Sequence, residues 1–323
     1  MVMVVEHARA RAAPKPWGVS DLFPWCSVSH DGEAIGEIWC ERADNAGVDP
    51  SLLLKLLFTS QPLSIQVHPN DAFARSIGLP NGKTEVWYIL SAAPKAKVAL
   101  GLSRRLTPRQ LRKSIDDGSI SDLIVWHAVS VGDVISVPAG TIHAIGAGLV
   151  IAELQQRSDA TFRLFDPGRQ RELHVDNAIV VADAGPADLQ ARSSRLTPER
   201  KLLVSVPQFV FERIDLNPNS SWYLEAERET WLLVLSGGAA AGSFEVSKGD
   251  ALFAQSDRVG IHAGATGMVG LVAYTGGGAV PHLLRRITQR DQPMSGAPNE
   301  IQAPASLTQA KAAPKNGSLE PIK

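Results

Sequence analysis

Leu63-Ser64-Ile65-Gln66-Val67-His68-Pro69-Asn70-Asp71 alternates polar and apolar side chains and then breaks at a proline. Successive side chains of a strand leave opposite faces, so Ser64, Gln66 and His68 share one face and Ile65 and Val67 the other. Taken alone, the stretch reads equally well as an ordinary polar strand face. Lys83-Thr84-Glu85-Val86-Trp87-Tyr88-Ile89-Leu90 repeats the alternation and sets Lys83, Glu85 and Trp87 on one side. Its plain reading is a salt pair at a strand entrance. Val137-Pro138-Ala139-Gly140-Thr141-Ile142-His143-Ala144-Ile145-Gly146 then supplies a Pro/Gly turn followed by a histidine that enters a new strand. A lone histidine in such a place is commonly a packed core residue.

Read together, Gln66, His68, Glu85 and His143 are two imidazoles, a carboxylate and an amide oxygen carried by separate strands. Separate strands bring such groups to one point inside a closed barrel. The set suits Zn²⁺ with room for water or substrate, and the same N/O donors accept Fe²⁺, Mn²⁺ or Co²⁺. Further along, Glu153–Arg169 packs many polar groups between apolar strand residues. Arg163, between Phe162 and Leu164, points away from both, either into the same barrel mouth or to the surface beside Asp159 or Asp166. A guanidinium fork in the mouth would suit a phosphate or a developing oxyanion.

The rest of the chain agrees with a mainly β protein. From about residue 64 to 164, short runs such as Val98–Leu100, Val134–Val137 and Leu149–Leu154 alternate with Gly, Pro and Asp turns. Thr107-Pro108, with Leu111 and Ile115 four apart, predicts an inserted helix over Thr107–Asp117, and a second short helix is predicted over Val175–Val181. The dense apolar patch Leu52–Phe58, interrupted by Lys55, has a length that suits a short core-packed helix.

A second β-rich stretch, 202–274, echoes the first: Glu229-Thr230-Trp231, Gly249-Asp250 and His262 follow the order of Glu85-Val86-Trp87, Gly132-Asp133 and His143. Duplication and chance both account for so sparse a match. Nothing before Glu229 resembles Gln66-Val67-His68, so this half is expected to hold no metal, leaving one ion per chain. Trp222, Trp231, Phe244 and Phe253 are expected to fill its barrel.

Composition excludes several classes. At 323 residues and 44% apolar content, the chain can bury a large core. Thirty-two basic against thirty-three acidic side chains give a net charge of -1, so no overall field draws nucleic acid or an anionic membrane. An anionic substrate must be held by local charge. Cys26 and Cys40 are too few for a disulfide scaffold and read as reduced thiols. The N-terminus lacks a long apolar core and no run is long enough to cross a bilayer, which makes cytoplasmic residence the expectation. The expected division is a metal-binding domain with helical insertions at 1–195, a C-terminal β domain at 196–294 and a disordered tail at 295–323, rich in Ala, Pro, Lys, Asn and Gln.

Leu63–Asp71, Lys83–Tyr88, Pro138–Gly146 and Glu153–Arg169, with Lys15-Pro16-Trp17-Gly18 and Gly36-Glu37-Ile38-Trp39, resemble the short bacterial form of class I mannose-6-phosphate isomerases. The resemblance covers roughly the first 180 residues well and the rest loosely. It implies a cupin fold, a double-stranded β-helix or jelly roll, for the catalytic barrel, with a second, degenerate cupin-like barrel. It implies metal ligation by Gln66, His68, Glu85 and His143, proton shuttling by Lys83, an active-site arginine in Arg163 and a partner of that arginine or of the sugar in Asp159. Contact of Ser64 with phosphate is likewise implied. The implied reaction is aldose–ketose interconversion of mannose 6-phosphate and fructose 6-phosphate through an enediolate, which needs electrostatic stabilisation. A lysine beside a divalent ion, or a hydroxide on the ion, can serve as base. Alternatives are a cupin isomerase or epimerase of another phosphorylated sugar and a non-catalytic sugar-binding cupin. An iron oxygenase fits poorly, because Gln66 would occupy a position that oxygen needs.

Overall fold

The computed structural model describes residues 4–29, 31–44, 49–169, 171–188 and 193–288. Met1–Arg286 form one compact unit; Ile287–Lys323 form another, of which only residues 287 and 288 are described, so the tail predicted at 295–323 lies outside the described residues.

Every ladder between named strands is antiparallel. Six strands make one sheet in the order Arg9–Val19, Ile35–Glu41, Leu52–Thr59, Leu149–Gln156, Glu85–Ala92 and Val134–Val137. Five make a second: Phe162–Phe165, Ile65–Val67, His143–Ile145, Lys97–Leu102 and Ile124–Ala128. Trp87, Ile89, Ile135 and Val137 from the first sheet and Val98, Leu100 and Ile145 from the second share one buried cluster. The two sheets therefore close face to face, the double-sheet answer to the edge-strand problem.

The predicted helices form at Pro108–Asp116 and Val175–Val181. Thr107 caps the first with a reciprocal capping box to Gln110. Leu111, Ile115 and Ala178 seat both helices on the outer face of the five-stranded sheet, against Ile65, Val67, Phe162 and Leu164. The alternation read from sequence thus holds: Ile65, Val67, Phe162 and Leu164 turn outward to the helices, and Gln66 and Arg163 turn inward.

Leu52–Phe58 is a correction. It is a strand, Leu52–Thr59, buried along its whole length between two partner strands. Leu52, Leu54, Leu56 and Phe58 pack toward the C-terminal sheet, whereas Lys55 and Leu57 face the first barrel. A strand covered on both faces has no polar face to reveal its period, so an apolar run of this length looks the same for helix and strand.

The C-terminal half contributes nine strands to a ten-stranded sheet, and the N-terminal strand Val4–His7, paired with Ala251–Gln255, is the tenth. Trp222, Leu224, Leu232, Val259, Ile261 and Tyr274 fill its interior, with Phe244 packed against them. Trp231 and Phe253 do not. They sit in the separate core that glues this sheet to the six-stranded sheet.

Candidate metal centre

Glu85 opens its strand from the six-stranded sheet, while His68 follows Ile65–Val67 and His143 opens His143–Ile145 in the facing sheet. His143 lies directly opposite Gln66 in the ladder. The turn Pro138–Thr141 ties the two histidines together, because the Gly140 N–H donates to the His68 carbonyl at 2.8 Å. Gly140 has φ +91°, and a Cβ there would meet the Val181 carbonyl at 3.1 Å, so glycine is required at this bend.

His68, Glu85 and His143 are fully buried, and one ligand atom from each lies within 4.8 Å of the others. Glu85 Oε1 is 3.4 Å from His143 Nε2, and Glu85 Oε2 is 3.5 Å from His68 Nε2. Each ring uses its other nitrogen on a backbone carbonyl: His68 Nδ1 on Ala160 at 2.8 Å, His143 Nδ1 on Thr141 at 2.9 Å. That arrangement protonates Nδ1 and leaves both Nε2 lone pairs aimed at the carboxylate. Burial, then the Lys83 charge, pulls His68 down to about 4, and burial lowers His143 also, so both imidazoles are neutral near pH 7. Burial by itself would raise Glu85; the Lys83 ammonium is the leading opposing cause, and Glu85 is held well below the usual carboxylate range. Glu85 Oε2 makes no hydrogen bond although it is buried. Two neutral imidazoles and a buried, ionised carboxylate, its Oε2 without a hydrogen bond and 3.2 Å from the Lys83 ammonium, are a donor set that fits a divalent cation.

Gln66 reaches the same point, its amide nitrogen 3.2 Å from His143 Nε2 and its oxygen accepting from the Ser64 hydroxyl at 3.1 Å. Half a turn of the amide would present its oxygen instead. Lys83 Nζ lies 3.2 Å from both Glu85 Oε2 and His68 Nε2.

A cavity of about 490 Å³ opens above this cluster, lined among others by Ser64, Gln66, Lys83, Asp159 and Arg163. The structure brings Ser64, Gln66, Lys83, Asp159 and Arg163 to one cavity; His68, Glu85 and His143 do not line it and meet it through Gln66 and Lys83. Arg163 does not pair with Asp166, which is held instead by Arg169 and Arg171. The Arg163 backbone is fixed to His174 in both directions, its N–H donating to Nδ1 and its carbonyl accepting from the His174 N–H.

Trp17, Glu37, Lys55, Glu153, Arg171 and His174 also line the cavity, and none of them is assigned a site role from the sequence. Lys55 forms a buried ion pair with Glu153 at 2.7 Å, whose other oxygen accepts from the Trp87 indole at 3.1 Å. A charge inside the run Leu52–Phe58 was the available signal, since a buried lysine requires a paired anion.

No family model matches the chain. Over 196 residues it is 36% identical to the mannose-6-phosphate isomerase of Streptococcus mutans, an alignment covering 56% of this chain and 60% of that protein. GmuF of Bacillus subtilis, named a probable mannose-6-phosphate isomerase, is 30% identical over 224 residues, 64% of this chain and 69% of the relative. The chain belongs to the mannose-6-phosphate isomerase family. It spans less than two thirds of other members, 60% of the Streptococcus protein and 44% of Bacillus subtilis ManA, to which it is 40% identical. The crystal structure of mannose 6-phosphate isomerase from Bacillus subtilis superimposes with a TM-score of 0.74 at 24% identity, covering 84% of this chain and 99% of that one. One structure of phosphomannose isomerase from Salmonella typhimurium gives 0.67 at 14% identity, with 84% and 99% covered. These superpositions show the family's cupin fold across both halves of the described chain.

Proposed function

We propose that the chain is a metal-dependent aldose–ketose isomerase interconverting mannose 6-phosphate and fructose 6-phosphate. The observation that carries the reading is the convergence of His68, Glu85, His143 and Lys83 beneath a cation-lined cavity in a member of this family. Gln66, His68, Glu85 and His143 would hold one divalent ion, zinc in this reading, which supplies Lewis-acid stabilisation of charge developing on the sugar oxygens.

Lys83 is assigned the proton transfer between C1 and C2: its amine is the only lysine nitrogen beside the ligand cluster among the described residues, 3.2 Å from Glu85 Oε2. Arg163 and Arg171 line the same cavity, and each guanidinium can take a phosphate through two parallel N–H groups. The positive charge of Arg171 lowers Arg163 after burial has done so, and an anionic group between them would relieve both effects. Ser64 and Asp159, on the cavity wall, offer a hydroxyl and a carboxylate to the phosphate and the sugar.

In this reading the chain divides near residue 195 into a catalytic barrel and a bracing barrel without metal. Cytoplasmic residence belongs to it too, supported by two unpaired cysteines. No helix among the described residues is long and apolar enough to cross a membrane. Incubation with fructose 6-phosphate should yield mannose 6-phosphate, chelation should stop turnover and Zn²⁺ should restore it. Full activity in protein shown by elemental analysis to be metal-free would sink the proposal.

A further inference from the structure

Arg195, Lys201 and Arg213 stand in a row across three adjacent strands: Arg195 is the direct ladder partner of Lys201, and Lys201 of Arg213. Directly opposed residues of antiparallel strands project from one face, and like charges so placed destabilise the sheet. Arg195 and Lys201 are exposed, so solvent screens much of that repulsion, and the row leaves positive charge concentrated on one sheet face. All three residues line a cavity of about 390 Å³, which Tyr88 lines as well. Tyr88 lies on the strand that carries Glu85 and Trp87 but on its opposite face, so this cavity is separate from the one above the metal cluster.

The row is only partly neutralised. Arg213 is gripped by Asp215 at 2.8 Å and donates to the Tyr88 hydroxyl at 3.3 Å. Arg195 spends one guanidinium nitrogen on the Pro198 carbonyl, and neither Arg195 nor Lys201 has a carboxylate partner among the described residues. Asp133, also on the wall, already uses one carboxylate oxygen on the Ser130 N–H. Two cations without a carboxylate partner among the described residues, side by side at a concave surface that Tyr88 also lines, match a dianionic phosphate attached to a small organic body. We propose that this cavity is a second binding site, taking a phosphorylated small molecule whose phosphate lies between Arg195 and Lys201. The inference stands on the ladder register and does not require the isomerase reading.

The test uses metal-loaded full-length protein and inorganic phosphate as probe, followed by calorimetric titration and by the shift in melting temperature. Arg195→Ser with Lys201→Ser should weaken phosphate binding about tenfold or more, the scale of losing charge-assisted hydrogen bonds, while leaving turnover of fructose 6-phosphate unchanged. Arg195→Lys with Lys201→Arg keeps both charges and should keep the binding. Arg163→Ser, which alters only the metal-bearing cavity, should leave this site's affinity intact. Phosphate affinity equal to wild type in the double serine variant would overturn the inference, as would the absence of saturable binding in the wild type or loss of all binding in Arg163→Ser.

Discussion

The two barrels carry the same turn and put different chemistry behind it. Gly132-Asp133 and Gly249-Asp250 both have glycine at φ +92°. In each, the aspartate accepts from a serine N–H three residues earlier, Ser130 at 2.7 Å and Ser247 at 2.8 Å. In each, the glycine N–H and aspartate carbonyl bracket one residue of the neighbouring strand, Ile89 in the first barrel and Val234 in the second. This correspondence fixes the register: counting back four residues, Glu85 matches Thr230, not Glu229. The ladders agree, since Glu85 faces Val137 and Thr230 faces Ala254, each five residues beyond its turn glycine.

The sequence echo of Glu85-Val86-Trp87 in Glu229-Thr230-Trp231 is therefore out by one residue, and a one-residue slip sends every side chain to the other face. Trp231 matches Val86, and both lie in the core between the sheets. Glu229 turns away from the second barrel and accepts from the backbone N–H groups of Ser51 and Leu52 at 2.6 and 2.8 Å. His262, exposed, bonds to the Ser221 hydroxyl. One barrel spends its buried polar groups on the His68, Glu85 and His143 cluster, the other on holding the two halves together.

That contrast is broken most directly by moving the metal. His143→Ala should take metal content from about one per chain to about zero and turnover to background, while His262→Ala should change neither, as read by elemental analysis. A metal equivalent that survives His143→Ala and vanishes in His262→Ala would make the second barrel a site. Next in size, Lys83→Met should lower kcat by roughly 10² or more with metal retained, the scale of a lost general base. Near-normal kcat would pass the base role to metal-bound water.

Acid should act through the first barrel. His68 falls from the ordinary 6.5 to about 4. Between these pH values the unfolded chain binds a proton that the folded chain refuses. The contribution is full above pH 6.5 and is lost as pH falls toward 4, roughly 3 kcal/mol in metal-free protein. His68→Gln should flatten the stability–pH curve in that window; an unchanged slope in urea titrations would refute the assignment. The smallest effect belongs to the brace. Glu229→Leu strands two backbone donors and should cost about 2 kcal/mol in urea unfolding, with metal content unaltered. Loss of metal in that variant would show that the brace and the centre are not separate.

Chain geometry makes the period-two faces of Ser64–His68, Lys83–Leu90 and Phe162–Leu164 legible in the amino-acid sequence, and with them which polar groups enter the first barrel, because side-chain direction in a strand follows from that geometry alone. Two of the four described helices, Pro108–Asp116 and Val175–Val181, are legible there too, since a Thr-Pro start and i, i+4 spacing are local signals. Other features are decided where distant segments meet. Leu52–Thr59 is a strand because neighbours bury both its faces. Lys55 is tolerated there because Glu153, its ladder partner on the adjacent strand, neutralises it. The true register of the second barrel and the cation row at Arg195, Lys201 and Arg213 depend on which residues stand opposite across a ladder. That pairing is set by the packing of whole sheets, and no single stretch of the chain encodes it.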